Sequence, residues 1–258
     1  MNNHRQFGVL SLSAILAAAA AAAVGGSSSA RSHPGEIVGI HASHCSAWSF
    51  HRVGNEQTAY AAVVRRRLRA YRQPAHRPFA RFGRTNANDV PTVFGIRAAV
   101  VNKRCAPLWY RVQLPMRPNG VTGYVRASKV HVGRVHTRIV VDISARRLTF
   151  FRWGRPLLRT TVAVGSPATP TPRGFFYVNQ RLIPSDRSGP FGPAAIGVSA
   201  FSPVLTGWTQ GGPIAVHGTN EPWSIGRAVS NGCIRARNRV VGWLFKHTLA
   251  GTPVLIHE

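Results

Sequence analysis

The sequence predicts a mainly β protein with one helix near its carboxyl end. Short runs of β-branched and aromatic residues recur from Thr58 onwards, and Gly, Pro and Asn separate them, as expected of strands joined by turns. After Cys233, apolar residues recur at helical spacing, on the positions Val240, Val241, Leu244, Phe245 and Thr248. A chain of 258 residues can hold one large or two small domains.

The first 30 residues have the composition of an export signal. A polar start containing Arg5 precedes an alanine-rich apolar run from Phe7 to Val24, and Gly and Ser follow it. The run is also about long enough to span a bilayer, so an uncleaved membrane anchor is the alternative. Either segment would export the rest of the chain. We expect residues 31–57 to form a linker, because they are rich in Gly, Ser and His and lack periodicity.

The net charge narrows the classes of partner. The chain has 33 Lys and Arg against 7 Asp and Glu, a formal charge of +26, which predicts attraction to polyanions. We expect no nucleic-acid partner, because the arginines are spread along the chain and no recognition motif is present. The anionic polymers of a cell envelope fit both the charge and the export segment. A charge that serves only solubility is the alternative.

Residues 58–132 are predicted to form a first, small β domain. Two apolar runs, 62–64 and 68–71, flank the arginines at 65–67, and we predict a strand here with the basic cluster exposed to solvent. A docking surface for an anionic polymer is the alternative for that cluster. Strand-like runs follow at 79–82, 92–96, 98–101, 108–114 and 123–125. Pro118-Asn119-Gly120 predicts a tight turn.

Two aromatic motifs in this region suggest its architecture. Trp109-Tyr110-Arg111-Val112, followed by Gly123-Tyr124-Val125, resembles a pattern of bacterial SH3-like domains. The resemblance implies a small barrel over residues 58–132 that binds wall peptides or packs against a catalytic domain. We expect Trp109 and Tyr124 to belong to the core of this barrel rather than to a ligand site.

A second pattern begins at Arg138. Residues 139–144 and 147–151 predict a hairpin, with a turn at 153–155 and a third strand at 162–165. A proline-rich turn occupies 166–174 and predicts a rigid, extended backbone. Residues 179–212 show little regular pattern, so we predict a groove wall or lid. Gly251 is expected just past the helix, with a final strand at 253–256.

One histidine and one cysteine form the candidate site. His217 follows the apolar run 213–216, Cys233 comes after a polar loop, and each residue lies next to a glycine. A thiol nucleophile needs a base, and imidazole is the side chain best suited to that role near neutral pH. Glycine beside the nucleophile lets a substrate carbonyl approach backbone N–H groups. From spacing alone, a buried structural cysteine remains the alternative.

The motif itself points to a family. His-Gly-Thr, a loop and then Ser-x-Gly-Cys-x-Arg resembles the signature of the L,D-transpeptidase (YkuD-type) catalytic domain, and the resemblance covers residues 136–258. It implies a β-rich domain in which Cys233 is the acylated nucleophile and His217 its base. Asn231 stands where many relatives have histidine, and Val240 where many have aspartate. An asparagine does not titrate, so any contribution it makes is through amide hydrogen bonds.

The resemblance also suggests roles for neighbouring residues. The N–H groups of Gly232 and Cys233 are expected to bind the oxyanion, and Ser230 or Gly218 to orient His217 through backbone oxygens. No acidic third member is evident near the dyad, although Glu221 lies in the loop between the two residues. A dyad oriented by backbone is therefore preferred over a charged triad.

Substrate binding is assigned to three residues. Arg235 is expected to bind a carboxylate of the stem peptide, although fixing the loop through backbone carbonyls is an equal alternative for it. Asn231 and Thr219 complete the predicted substrate-binding set. No metal site or cofactor is expected.

The function implied by the resemblance is a cell-wall-associated peptidoglycan L,D-transpeptidase that forms 3–3 cross-links between stem peptides. Two alternatives remain open. Water as acceptor would make the protein an L,D-carboxypeptidase, and a decayed catalytic domain would make it a non-enzymatic, basic wall-binding protein. The membrane would be involved only through an uncleaved amino-terminal segment.

In a protein outside the cytoplasm, three cysteines suggest one disulfide bond and one free, reactive thiol. If Cys233 is the nucleophile, Cys45 and Cys105 are left to pair and would close a loop of about sixty residues, worth ~4 kcal/mol in the chain-entropy model. Two unpaired buried thiols are the alternative. The spacing of the three cysteines excludes a zinc site.

Overall fold

The computed structural model describes residues 7–8, 37, 39–40 and 45–258. These residues are mainly β with a single α-helix, which confirms the predicted fold class. The predicted export segment lies outside the described residues except for strand β1 (Phe7–Gly8), which pairs with the end of a later strand. Within the described part of the chain, no helix has the length and apolarity to cross a membrane.

An eight-stranded antiparallel sheet forms the first domain, residues 45–135. Its strand order is β5-β4-β8-β7-β6-β3-β9, with β2 paired to β6. The strands are β2 (Ser49–Arg52), β3 (Ala59–Val64), β4 (Leu68–Tyr71), β5 (Pro78–Phe82), β6 (Val93–Val101), β7 (Pro107–Gln113), β8 (Thr122–Arg126) and β9 (Val130–Val135). Buried residues of these strands form a core of their own around Phe94 and Tyr60.

The boundaries of this domain differ from the prediction. Strand β2 lies inside the expected linker 31–57 and pairs with β6 over four residues, so the sheet begins before Thr58. At the other end β9 continues past 132 to Val135. The predicted strand through the arginine cluster is interrupted, because residues 65–67 form an exposed bend between β3 and β4. The SH3-like resemblance stays a prediction.

The disulfide and the aromatic motif both lie within this domain. Cys45 and Cys105 form a disulfide with a Cα–Cα distance of 5.3 Å, and Cys233 is the free cysteine among the described residues. Trp109 is buried, with Tyr71 packed edge-on at 5.3 Å and Arg126 stacked over its ring at 4.7 Å. Tyr124 is half-buried. The bond ties the segment before β2 to the turn between β6 and β7.

A nine-stranded sheet dominates the second domain. Eight of the nine strands follow the order β12-β11-β10-β19-β14-β15-β16-β18, and the ninth, β1, pairs with β14. Strands β13 and β17 form a separate pair. The strands are β10 (Thr137–Asp142), β11 (Arg147–Arg152), β12 (Arg155–Thr161), β13 (Val164–Gly165), β14 (Gly174–Pro184), β15 (Ala195–Phe201), β16 (Pro213–His217), β17 (Ala228–Ser230), β18 (Ile234–Arg235) and β19 (Pro253–His257). β10 and β11 form the predicted hairpin.

Strand β14 connects the two halves of this sheet. Its first residues, Gly174 to Tyr177, pair with β19, and from Val178 onwards it pairs with β15 after a register shift. The expected irregular segment 179–212 therefore contains the end of β14 and the whole of β15, and that expectation was wrong for these parts. The residues of β15 are buried on both faces, so its sequence does not alternate between apolar and polar positions. The end of β14 does alternate in burial, but polar residues occupy its buried and half-buried positions alike.

The helix α1 (Asn238–His247) follows the cysteine, as predicted. Val241 and Leu244 are fully buried against the core of the second domain. Lys246 and His247 occupy the last turn, where positive charge interacts favourably with the helix dipole. The helix ends before the predicted stop at Gly251, because Thr248 is already extended and its N–H closes the last turn on the Leu244 carbonyl.

The two domains pack against each other directly. Gly251 approaches β3 so closely that a Cβ at this position would lie 2.3 Å from the Cβ of Ala61. Gln113 Nε2 donates to the carbonyl of Phe175 at 2.8 Å, which links β7 to β14. A cavity of about 380 Å³ lies along this junction, lined by residues of both domains. The first domain is therefore in contact with the sheet that carries the candidate site.

Candidate active site

Strands β16 and β18 bring the histidine and the cysteine to one edge of the sheet. The two strands are parallel neighbours, with Val216 opposite Ile234 and His217 opposite Arg235. Continued by one residue, this register sets Cys233 opposite Ala215. Residues two apart in a strand share a face, so the thiol and the imidazole lie along the same face of the sheet.

His217 is held in one tautomer. Its Nδ1 lies 2.5 Å from the carbonyl oxygen of Gly218. A carbonyl only accepts hydrogen bonds, so Nδ1 carries the proton and Nε2 keeps the free lone pair of a base. The side chain is 4% exposed, and burial lowers its pKa to about 4, with the charge of Arg235 acting in the same direction. The imidazole is therefore neutral at pH 7.

Cys233 lies at the start of β18 and is half-buried. Its Sγ is 4.0 Å from the carbonyl oxygen of Pro213, and the N–H of Ala215 donates to the sulfur. Burial raises the pKa of this thiol above its ordinary value, and it outweighs the hydrogen bond from Ala215 and the charge of Arg235. The resting pair is consequently a thiol beside a neutral imidazole rather than a thiolate–imidazolium pair.

The turn before the cysteine needs glycine. Gly232 has φ of +105°, and a Cβ there would lie 3.1 Å from Cδ1 of Ile214. Its N–H donates to Ser230 Oγ at 3.2 Å, and the same hydroxyl donates to the carbonyl of Cys233 at 2.6 Å. Ser230 thus closes the nucleophile turn on itself. Among the described residues, the N–H of Cys233 has no hydrogen-bond partner.

A proline-rich segment supports this turn from below. Thr171 Oγ1 donates to the carbonyl of Gly232 at 2.9 Å and accepts from the N–H of Gly165 at 2.8 Å. Thr169 Oγ1 donates to the carbonyl of Ser230 at 2.9 Å. The backbone of residues 230–232 is therefore fixed by two threonine hydroxyls of the segment 166–174.

Arg235 and Glu221 form an ion pair across the site. The arginine side chain is 17% exposed and the glutamate 44%, so the pair lies near the protein surface. Glu221 contacts Arg235 rather than His217, which agrees with a dyad oriented by backbone. One prediction for Arg235 was that it fixes the loop by hydrogen bonds to backbone carbonyls. Its observed partner in the loop is the carboxylate of Glu221.

A metal ion has no evident place here. Within residues 45–258, no three His, Cys, Asp or Glu side chains are grouped so that they could hold one.

Residues 136–256 match the YkuD family model, which describes the L,D-transpeptidase catalytic domain. This part of the chain is similar to L,D-transpeptidase catalytic domains. The YkuD protein of Bacillus licheniformis, which bears the name of an L,D-transpeptidase, is 38% identical over 120 residues. That match covers 46% of this chain and 64% of the relative. The ErfK/SrfK protein of Salmonella typhimurium, named in the same way, is 30% identical over 137 residues, covering 47% and 44%.

The chain spans less than two thirds of the length of each of these relatives. Among solved structures, the catalytic domain of the Enterococcus faecium L,D-transpeptidase is 26% identical, with a TM-score of 0.35, over 47% of this chain and 96% of that one. A Mycobacterium smegmatis L,D-transpeptidase is 16% identical with a TM-score of 0.38, over 88% and 96%.

The contacts of two predicted site residues differ from those assigned to them from the sequence. Thr219 is buried, its hydroxyl accepts from the N–H of Glu221 at 2.9 Å, and its own N–H donates to Asn238 Oδ1 at 2.8 Å. These contacts order the loop, and the substrate-binding role of Thr219 stays a prediction. Of the two backbone oxygens expected to orient His217, that of Gly218 lies against Nδ1, and that of Ser230 accepts from Thr169 Oγ1.

Three contributions to the candidate site were not predicted. Phe191 packs on the His217 ring with centroids 5.0 Å apart. Thr169 and Thr171 hold the turn before Cys233, whereas the proline-rich segment was expected only to supply a rigid, extended backbone. The alternation of Thr with Pro in this segment could have indicated these contacts. Proline has no backbone N–H, so the threonine hydroxyls beside it are available to bond groups elsewhere in the fold. Asn231 is exposed at the turn before the cysteine.

Proposed function

We propose that this protein is a peptidoglycan L,D-transpeptidase that acts through a Cys233 thioester. The observation that carries the proposal is the locked tautomer of His217, whose free Nε2 lies on the same sheet face as the thiol. A base with a low pKa beside a thiol with a raised pKa suits a proton transfer that accompanies attack, because neither group needs to ionise beforehand.

Acylation begins with attack on the carbonyl of the third stem residue. The Cys233 sulfur bonds to this carbon as Nε2 of His217 takes the thiol proton. The tetrahedral oxyanion is stabilised by the Cys233 N–H, which has no partner among the described residues, and by the Gly232 N–H once its weak bond to Ser230 Oγ is released. Collapse breaks the bond to the terminal D-residue, and His217 returns the proton to the leaving amine.

Deacylation repeats the chemistry with a different nucleophile. The side-chain amine of a neighbouring stem attacks the thioester, His217 takes a proton from that amine, and the thiol leaves with its proton restored. The product is a 3–3 cross-link. Water in place of the amine gives a shortened stem and makes the protein a carboxypeptidase.

Arg235 and Asn231 keep the substrate-binding roles that were predicted for them. Arg235, freed from Glu221 or bridging it, would bind a stem carboxylate through its planar guanidinium. Asn231 is exposed and offers amide groups to the peptide. The proposed location is extracytoplasmic and cell-wall associated, which the net charge of +26 supports through attraction to anionic wall polymers.

The test is incubation of the purified chain with tetrapeptide muropeptides, followed by mass spectrometry of the products. Cross-linked dimers that lack one terminal residue would establish the transpeptidase. Shortened monomers alone would identify a carboxypeptidase. Unchanged substrate, from a sample whose Cys233 thiol is titratable, would contradict both activities and favour a wall-binding protein. Cys233→Ala serves as the matched control.

A further inference from the structure

The segment between β15 and β16, residues 202–212, lies beside the thiol. We call it the β15–β16 loop. Its base is closed by the N–H of Ser202, which donates to the carbonyl of Gly212 at 2.8 Å. The next residue is Pro213, whose carbonyl oxygen lies 4.0 Å from Cys233 Sγ. The loop exposes large apolar side chains, with Trp208 at 53% and Val204 at 49%. It therefore presents an apolar surface immediately next to the nucleophile.

A single arginine of the first domain bridges both ends of this loop. Nη2 of Arg117 donates to the carbonyl of Ser202 at 2.6 Å and to the carbonyl of Gly211 at 2.8 Å. Its guanidinium also lies over the Phe201 ring, 5.6 Å from the centroid. Hydrogen bonds from a charged donor are about twice as strong as neutral ones, and here two of them converge on the two stems of one loop.

Asn119, in the same turn of the first domain, holds the residue before the loop. Its Oδ1 accepts from the N–H of Phe201 at 2.9 Å, and its Nδ2 donates to the carbonyl of Phe201 at 2.8 Å. The side-chain amide thus pairs with a backbone residue as a neighbouring strand would. Phe201 is the residue opposite Pro213 in the β15–β16 pairing. Asn119 therefore holds the residue that pairs with Pro213, whose carbonyl oxygen contacts the Cys233 sulfur.

A third contact fixes the far side of the loop. Gln210 Nε2 donates to Asn88 Oδ1 at 2.9 Å, and Asn88 Nδ2 lies 3.4 Å from Gln210 Oε1. Gln210 has φ of +60°, a conformation that a residue other than glycine adopts only where its surroundings favour it. Asn88 Nδ2 also donates to Gln180 Oε1 on β14 at 2.9 Å. Side chains of the first domain therefore bind the loop at three separate places.

From these contacts we propose that Arg117 and Asn119 are positioning residues of the transpeptidase site. The first domain holds the β15–β16 loop in place as one wall of the groove that receives the stem peptide. This inference rests on the proposed function, since it assigns the loop to that substrate. An ordered loop has less conformational freedom to lose when a peptide binds, so the contacts lower KM for the stem peptide more than they change kcat. Neither residue touches the reacting atoms.

The experiment measures three quantities in the full exported chain carrying Arg117→Ala or Asn119→Asp. Asn119→Asp keeps the acceptor for the Phe201 N–H and places a carboxylate against the Phe201 carbonyl. The matched control is Arg111→Ala, which removes the same charge from an exposed arginine whose guanidinium, within the described part of the chain, donates to Thr122 Oγ1. The quantities are KM and kcat for a tetrapeptide donor, the rate of Cys233 alkylation by iodoacetamide, and amide hydrogen exchange of residues 202–212.

The contacts of Arg117 and Asn119 with the β15–β16 loop and Phe201 are called the clamp. We expect both clamp variants, Arg117→Ala and Asn119→Asp, to raise KM about tenfold, with kcat changed by less than about threefold, and to speed exchange of the Ser202 and Gly211 amides. Alkylation by the small reagent should stay within about twofold of the parent, because the thiol and its base are untouched. The control should match the parent in all three. Rates are expressed per titratable thiol. Arg117→Lys, which keeps the charge but lacks the planar fork, replaces Arg117→Ala if the latter does not fold.

The outcomes separate this inference from the proposed function. Faster exchange of the loop without any turnover by the parent would contradict the proposed function while the clamp still holds. Parent-like KM and exchange in both variants would overturn the clamp, whatever the activity of the parent. An equal loss in Arg111→Ala would overturn it too, since the effect would then come from charge alone.

Discussion

The Nδ1–H of His217 donates to the carbonyl oxygen of the next residue, Gly218, at 2.5 Å. This contact replaces the carboxylate that orients the histidine in a charged triad. It fixes which ring nitrogen is basic without adding a negative charge, so burial controls the pKa of the imidazole.

His217 should make the protein less stable as the pH falls. Its pKa is about 4 in the folded chain and 6.5 when unfolded, so between these values the unfolded chain binds a proton that the folded chain does not. The free energy of unfolding should therefore fall by up to about 3 kcal/mol from pH 7 to pH 4 on account of this group. Urea unfolding of the parent and of His217→Asn checks this, with exposed His131→Gln as control. Equal pH dependence in parent and His217→Asn would contradict the assigned pKa.

Removal of either member of the dyad should separate folding from activity. Cys233→Ala should abolish turnover and keep the thermal midpoint close to that of the parent, because it removes a single heavy atom from a half-buried side chain. His217→Ala should lose several orders of magnitude in kcat/KM and keep a residual rate from ionised thiol. Kinetics on tetrapeptide donors with calorimetry of each variant provide the measurement. Turnover by Cys233→Ala at the parental rate would refute the mechanism.

A carbapenem should acylate the protein once, at Cys233. The resemblance to L,D-transpeptidases implies this reaction, and a strained lactam carbonyl is the electrophile that the proposed thioester chemistry requires. Cys45 and Cys105 offer no thiol because they are bonded to each other. Intact mass should show one adduct, and peptide mapping should place it on Cys233. His217→Ala should slow its formation, since the leaving nitrogen then lacks its acid. An adduct elsewhere, or none on a folded sample that keeps the Cys45–Cys105 disulfide and has a titratable Cys233 thiol, counts against the assignment.

The substitution Asn231→His should change the turnover rate less than tenfold, below about 1.4 kcal/mol of barrier. The side chain is exposed at position 231, so a histidine there would contact solvent and peptide rather than the dyad. Steady-state kinetics of the single variant suffice. A far larger gain would mean that the asparagine marks a partial loss of function.

The substitution Thr171→Val should destabilise the protein by about 1–3 kcal/mol, since it leaves the Gly232 carbonyl and the Gly165 N–H unpaired in a buried site. Turnover per folded molecule should also fall, because the turn that presents Cys233 loses one of its two hydroxyl supports. Thermal unfolding and kinetics report these effects, with the exposed Thr85→Val as the matched control. Unchanged stability would show that water replaces the hydroxyl.

Much of the fold could be predicted because it depends on local pattern. The β10–β11 hairpin, the helix with Val241 and Leu244 inward and the last strand all follow from periodicity in a few residues. The pairing of His217 with Cys233 was predicted from a motif that resembles L,D-transpeptidases, whereas residue types and neighbouring glycines alone left a buried structural cysteine as the alternative. The ion pair of Arg235 with Glu221 and the hydroxyls beneath the nucleophile turn could not, because they join residues far apart in sequence through the sheet order.

The same limit explains the first domain. Nothing local in Arg117 or Asn119 indicates a partner near position 201, since a tight-turn motif looks alike whether its side chains face solvent or another domain. The linker was misjudged for a related reason. The strand Ser49–Arg52 is short and polar, and its place in the sheet comes from pairing with β6 and from the nearby disulfide.

The raised pKa of Cys233 also affects how the chain survives oxidation. Thiol–disulfide exchange proceeds through the thiolate, and a cysteine that stays protonated attacks a disulfide slowly. A third cysteine in an oxidising compartment could otherwise capture one sulfur of the Cys45–Cys105 bond and scramble the pairing during folding. If Cys233 is the nucleophile, burial thus keeps its thiol protonated and slow to attack a disulfide until a substrate carbonyl is in place.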